Sequence, residues 1–381
     1  MSIKKILIVC NQSPYPTYHG GAFDMFERLK GISLLGHQVD VVITTKYSLS
    51  DIAYNEIKKY ANSIYIADRK NKVIDLFSVK PLQYESRNKL KDIVFKEVYD
   101  SIILESEFVA AILDNQTLKY KKLVVRVHNN EAQYFNHLAK STRNIFKKIY
   151  YYSDAFKTKQ ITNRVLEQAD RIWYISNKEL ENSGFIAKSL FMPPPINSPF
   201  KMNLNLNKTI LFVGSLFMDN NIHGLDWYLK EVHPYLVKKY KDYKLIIAGG
   251  TGSVLIEKLK LKYEQQESID VFFNVKDLDE LYNSATIFIN PMFFGSGVKL
   301  KSINAIVNGL PLVSTDIGAE GIGLEENEMY LRANSVSEFL NSIDIIFNMD
   351  IEERVHLVRR AQNYLEEIHY LKTLKNELNA N

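Results

Sequence analysis

The chain has 381 residues, 46% of them hydrophobic and 24% charged, with a formal net charge of +4. That length exceeds what one core usually serves and predicts two domains, and the composition excludes a disordered chain. The charge balance is too even to point to nucleic acid, so no nucleic-acid partner is expected and any basic site must be local.

The single cysteine, Cys10, cannot form an internal disulfide, which fits a reducing compartment. It closes the first apolar run, KKILIVC, and reads as a small buried hydrophobe. That run stops at Asn11-Gln12-Ser13-Pro14, too short for a signal-peptide core. No run reaches the ~18 apolar residues of a membrane span. A cytoplasmic protein is expected, soluble or held at the inner face of a membrane.

A helix around Ala22 to Leu35 and the strand QVDVVIT follow. SIYIA, DSIILES, KLVVRV, DRIWYIS and KSLFM continue the alternation of β-rich runs with helical segments. This pattern predicts an α/β doubly wound parallel sheet. It breaks at Met192-Pro193-Pro194-Pro195-Ile196-Asn197-Ser198-Pro199, which reads as a connection between domains. A second series, KTILFVG, YKLIIAGG, SIDVFFN, TIFINP and LPLVST, predicts another parallel sheet. From Ser335 the chain is helical and charged. The expected architecture is two tandem Rossmann-like domains, 1–195 and 196–355. A C-terminal helical segment, 356–381, is expected to return toward the first. Ligands in such sheets bind outside the carboxyl ends of the strands, so a cleft between two such domains is the expected site.

Residues 140–164 stand apart. Lys140, Arg143, Lys147, Lys148, Lys157, Lys159 and Arg164 face a single acid, Asp154, among Phe146, Tyr150, Tyr151, Tyr152 and Phe156. A basic, aromatic helix of this kind can lie on an anionic membrane. The alternative is a solvated helix whose aromatics pack on its own domain.

The candidate chemistry sits at predicted strand ends. After the first strand, NQSPYPTYHGGAFDMFERL lacks G-x-G-x-x-G, which argues against a dinucleotide enzyme. Gly20 and Gly21 open the helix there, where backbone amides can approach a sugar or phosphate or simply start a helix. His128 follows KLVVRV, with Asn129, Asn130 and Glu131 after it; an imidazole there can donate to a substrate hydroxyl. In the second half, Gly214 and Ser215 end the first strand, with Asn220 and Asn221 beyond. Gly295, Gly297, Lys299 and Lys301 follow TIFINP, and Gly318, Glu320 and Gly321 follow LPLVST. Two successive glycine-rich loops, one carrying lysines, suit a diphosphate. The histidines show no paired metal-ligand spacing, so no metal and no other cofactor are expected.

The order of these motifs resembles the bacterial glycosyltransferases of the large retaining group 1 family, with the GT-B fold. The resemblance spans nearly the whole chain: Gly-Gly after the first strand, RVHNNE, ADRIWYIS, PPPIN, FVGSLFMDNNIHGLDW, GSGVKLKSINAIVNGLPLVST and IGAEGI. It implies transfer of a sugar from a nucleotide-sugar donor, UDP favoured, to an acceptor hydroxyl, with the configuration kept and no metal. The acceptor would be a polysaccharide glycan or a lipid-linked glycan. By position, Lys299 and His128 would be the catalytic pair, Lys299 neutralising the leaving diphosphate and His128 hydrogen-bonding the sugar. Gly20, Gly21, Gly214, Ser215, Asn221, Asn274, Val275, Ser296, Gly297, Val298, Lys301, Asn304, Gly318 and Glu320 would form the donor site, with Asn274 and Val275 near the base. The leaving phosphate would help to take the acceptor proton.

Four positions depart from the family pattern. Ser296 and Asn304 replace two glutamates eight positions apart, the second of which commonly binds the ribose, and Ser215 and Asn220 stand where many members have Arg and Lys. Asn304 can still hydrogen-bond a ribose, without charge. These departures keep open a non-catalytic GT-B paralogue acting as a partner subunit. A nucleotide-sugar epimerase is the remaining alternative, for which Glu131 and Glu320 are the carboxylates available.

Overall fold

In the computed structural model the apolar runs form two all-parallel sheets, each carried by its own unit of chain. The structure describes residues 2–17, 20–70, 75, 78–142, 144–196, 199–275, 277–295 and 297–380. One unit is Met1–Pro195 with Tyr370–Asn381, and the other is Ile196–His369. The first division falls within the proline cluster, and the second falls at 369/370, later than the boundary at 355 expected from sequence.

The first unit holds seven strands: β1 (Lys5–Cys10), β2 (Gln38–Thr45), β3 (Ser63–Asp68), β4 (Val98–Leu104), β5 (Lys119–Val127), β6 (Arg171–Tyr174) and β7 (Ser189–Phe191). Their order is β3-β2-β1-β4-β5-β6-β7, every pair parallel. The order reverses direction at β1 and β4, where doubly wound sheets open their ligand crevice. Helices cover both faces, so β1 reads as a continuous apolar run, and Ile6, Leu7, Ile8 and Val9 have no exposed surface. The last helix, Tyr370–Asn379, places Leu374 and Leu378 in the core around Ile6 and Ile8. Its Glu377 accepts from Arg171 Nη2 at 2.6 Å and from Trp173 Nε1 at 3.1 Å.

The second unit holds β8 (Lys208–Val213), β9 (Tyr243–Gly249), β10 (Ile269–Phe273), β11 (Ile287–Asn290), β12 (Leu312–Ser314) and β13 (Leu331–Arg332). The order is β10-β9-β8-β11-β12-β13, again parallel. Two residues are too few to show a strand pattern, and β13 carries no sequence signal. The helices Val336–Asn348 and Ile351–Glu367 both start at capping boxes, Ser335 with Glu338 and Asp350 with Glu353. In both units the loops that matter leave the same edge of the sheet, the carboxyl ends of the strands.

Candidate active site

Strands β8, β11 and β12 are neighbours, so the loops after them lie side by side. After β8, Gly214 and Ser215 lead to the helix Asp219–Glu231. Asn221, buried in its first turn, donates to the Ser215 carbonyl at 3.0 Å and accepts from Lys301 Nζ at 2.6 Å. After β11, Gly295 and Gly297 have φ of 129° and 78°, a backbone that side chains rarely adopt, so the loop needs glycine. Ser296 lies outside the described residues.

Lys299 precedes the helix Leu300–Val307, whose first amides receive no side-chain cap. Such a helix start is suited to an anion. Lys299 is 6% exposed; its Nζ donates to the Gly297 carbonyl at 2.5 Å, with the Glu320 carboxylate at 3.9 Å. The Lys301 ammonium rests on the amide oxygen of Asn221 and over the ring of Phe212 at 5.0 Å, both neutral partners. Burial of that ammonium, and then repulsion from Lys299, pull its pKa down to about 7. Asn304 lies one turn further along the helix, exposed, on the side that carries Lys301.

The loop after β12 is braced from inside. Gly318 N donates to Thr315 Oγ1 at 3.0 Å, and its carbonyl accepts from Asn290 Nδ2 at 2.8 Å and Ser302 Oγ at 2.7 Å. A Cβ at Gly318 would collide with Ser314 Oγ and the Asn290 carbonyl oxygen. The sequence reading put Gly318 at the donor; the structure shows its polar groups engaged within the protein, and its part is to hold the loop. Gly318→Ala is expected to lower unfolding stability by about 1–3 kcal/mol, read as a lower urea midpoint.

Asn274, after β10, has a positive φ of 54°, and its side chain pairs with the backbone of Thr251 through bonds of 2.9 and 3.1 Å. It staples the loops after β9 and β10, and Val275 beside it is exposed. Val298 lies against Gly321, so the loops after β11 and β12 close on each other.

In the first unit, Gly20 and Gly21 open the helix Gly20–Leu34, and His128 directly follows β5. The ring of His128 is held by carboxylates: Nε2 donates to Glu105 Oε2 at 3.0 Å, and Nδ1 lies 3.5 Å from Asp24 Oδ2. Asp24 accepts from Arg126 Nε and Nη2, both at 3.1 Å, and from Arg28 Nη2. Arg28 Nε donates to Glu105 at 2.5 Å, and Arg126 Nη1 to the Met192 carbonyl at 2.5 Å. Asp24, Arg28, Glu105 and Arg126 are fully buried. Burial alone would raise the Asp24 pKa; Arg126, then Arg28 and His128, outweigh it and hold it at about 2.

A second acidic group lies nearby in sequence. Glu131 is pushed up to about 7 by burial and by Glu107, whose own carboxyl burial also raises. The folded-state value lies above the ordinary one, so this carboxyl costs stability as pH rises through roughly 4.3 to 7. Glu131→Gln is therefore expected to be more stable than wild type at pH 8, by about 1–2 kcal/mol, and equal to it at pH 4. Thermal unfolding at the two pH values checks this.

Residues 207–348 match the family model "Glycosyl transferases group 1". The chain is 35% identical over 375 residues to an uncharacterised 44.6 kDa protein in the cps region of Klebsiella pneumoniae, covering 95% of this chain and 96% of that one. It belongs to the group 1 glycosyltransferases. Solved structures of this glycosyltransferase's fold include HepE of Anabaena in complex with UDP and glucose, with TM-score 0.63, 12% identity and 98% of each chain covered. Another is a mutant of TarM from S. aureus in complex with fondaparinux, α-GlcNAc-glycerol and UDP, with TM-score 0.67, 11% identity and 99% of each chain covered. They share the GT-B arrangement of two Rossmann-like units.

In this glycosyltransferase the structure brings Gly214, Ser215, Asn221, Gly297, Val298, Lys299, Lys301, Asn304, Gly318 and Glu320 to one edge of one sheet. In the first unit it surrounds His128 with Asp24, Arg28, Glu105 and Arg126, which the sequence did not single out. The available signals were Asp24 and Arg28 four apart on the first helix and an arginine inside the apolar strand KLVVRV. Asp24, Glu105 and His128 place their ligand atoms within 4.8 Å of one another, a spacing a metal ion could use. Both carboxylates already neutralise an arginine each, so a dication would add uncompensated charge to a buried, balanced cluster, and the donor set does not fit one.

Proposed function

We propose that this glycosyltransferase takes a sugar from a nucleoside diphosphate sugar, UDP before other bases. It passes the sugar to a hydroxyl of a cell-surface polysaccharide or lipid-linked acceptor, with retention of configuration and without metal. The observation that carries the reading is the lysine pair: Lys299 and Lys301 crowd each other beside an uncapped helix start and a loop of positive-φ glycines. A diphosphate there relieves the repulsion and accepts from the loop amides, and charge leaving with it is stabilised most at the transition state. UDP in the HepE and TarM complexes supports the choice of base, and the cps-region relative supports a polysaccharide acceptor.

In this reading His128 meets a sugar hydroxyl through Nδ1, the ring nitrogen with the longer internal contact. The buried arginines and carboxylates fix its ring. The leaving phosphate takes the acceptor proton, so no protein nucleophile is required.

The test is product analysis with a panel of UDP- and GDP-sugars and oligosaccharide or lipid-linked acceptors. The anomeric proton of the product, read by NMR, is expected to keep the donor's configuration in the presence of EDTA. An inverted product, or activity abolished by EDTA, contradicts the reading.

The same lysines set a pH dependence. Bound diphosphate holds a proton on Lys301 that the free protein gives up above about pH 7. Affinity for UDP is expected to fall with rising pH above 7, by up to about tenfold per unit, with proton uptake on binding. Calorimetry in buffers of differing ionisation enthalpy reads the uptake, which Lys301→Met is expected to remove.

A further inference from the structure

The helix Ile145–Gln168 resolves the two readings of the basic aromatic segment by dividing it. One face, with Asp154, Ala155, Thr158, Ile161 and Val165, is buried on the first unit. The opposite face is not. Ile145, Phe146, Ile149, Tyr152 and Phe156 are 59%, 80%, 62%, 41% and 64% exposed. Positions 145, 149, 152 and 156 recur every three or four residues, so they form one ridge in a sector of roughly 60°, about 17 Å long. Large apolar side chains in a row, facing solvent, mark an interaction surface.

The charges around the ridge decide its partner. Lys148 and Lys159 border it on one side of the helix, and among the described residues neither has an ion-pair partner. Asp154, the one acid of the segment, is buried, accepts from Tyr150 OH at 3.2 Å and gives these lysines no surface counter-charge. The start of the helix is anchored, because Asn144 Oδ1 accepts from the amides of Phe146 and Lys147 at 3.0 and 3.1 Å. A second copy would meet this patch with the same patch and set lysines against lysines. An anionic lipid surface instead pairs each lysine with a headgroup while the aromatics enter the acyl boundary. Among the described residues no helix is long and apolar enough to cross a membrane.

We propose that the exposed face of the helix Ile145–Gln168 docks this protein onto an anionic membrane, lying in the interface with Phe146, Ile149 and Phe156 inserted. The surface acts without donor, acceptor or turnover, so its test is separate from that of the activity. Full-length protein is spun with phosphatidylcholine vesicles, with and without an equal part of phosphatidylglycerol. The wild type is expected to sediment with the anionic vesicles and to be released by high salt. Lys148→Glu with Lys159→Glu is expected to weaken partitioning at least ~25-fold, about fivefold per lysine charge. Phe146→Ser with Ile149→Ser and Phe156→Ser is expected to abolish it. A Phe146→Trp variant is expected to show blue-shifted emission with anionic vesicles alone. The proposal is overturned if the wild type stays in the supernatant or if the variants bind like wild type. It is also overturned if the Phe146, Ile149 and Phe156 substitutions change only a monomer–dimer equilibrium.

Discussion

Replacing Lys299 by alanine is expected to lower kcat/KM about 10- to 100-fold while the protein remains folded, because a charged hydrogen bond to a diphosphate contributes about 1.5–3 kcal/mol. The lysine sits at the start of the helix Leu300–Val307, 6% exposed, with its ammonium over the Gly297 carbonyl. Burial is the larger cause of the depressed Lys301 and stays, but loss of the Lys299 charge removes the added repulsion, so Lys301 carries its proton at somewhat higher pH and recovers part of the attraction. The two lysines are thus coupled, and Lys299→Ala with Lys301→Ala is expected to cost more than the sum of the single changes, because neither lysine is left to compensate. Steady-state kinetics with UDP-sugar at saturating acceptor, for both single variants and the double, measures this directly. Unchanged kcat/KM in Lys299→Ala would remove the lysine from the reaction.

Asp24→Ala is expected to have the largest effect on stability. Asp24 accepts two bonds from Arg126 and one from Arg28, all without exposure to water. Without it, Arg126 keeps among the described residues the Met192 carbonyl alone, and Arg28 keeps Tyr370 OH and shares Glu105 with His128. Breaking a buried pair from one side leaves an uncompensated charge and costs about 3–5 kcal/mol. That is a large share of the 5–15 kcal/mol of a typical domain. Asp24→Asn keeps the shape and is expected to fall between the two. The pH dependence has a definite sign: the Asp24 carboxyl is held at about 2, below its ordinary value. Its contribution is present in full above roughly pH 4 and is lost as pH falls through 2. Urea unfolding at pH 7 and at pH 3 measures both effects. The stability loss also displaces His128, so donor turnover is expected to fall with it.

Much of this arrangement is legible before any coordinates. Runs such as KKILIVC and KTILFVG become central strands because both faces of a parallel sheet are covered, which makes them continuous in sequence. The proline cluster marks the first change of unit because proline can continue neither helix nor inner strand. Gly297 and Lys299 were found because a positive-φ loop and a charge at a strand end leave a local mark.

Other features leave none. Asp24 and Glu105 meet from elements 81 positions apart in sequence, through Arg28 and His128, and only the topology β1-β4-β5 brings them together. The staple of Asn274 onto Thr251 and the enclosure of Gly318 are likewise tertiary, which is why both residues resembled ligand contacts. The helix Ile145–Gln168 reads as uniformly basic and aromatic; which residues face outward depended on where its buried face landed.

The central claim is that the loop of Gly297, Lys299 and Lys301 reads the diphosphate of a nucleotide sugar. Calorimetric titration of UDP against UMP into wild type and Lys299→Ala tests it most directly. The account predicts that UDP binds wild type at least about tenfold more tightly than UMP, the scale of one charged hydrogen bond, and that Lys299→Ala erases most of the difference. Equal affinities for UDP and UMP in wild type, or a preference for UDP untouched by the substitution, would contradict it.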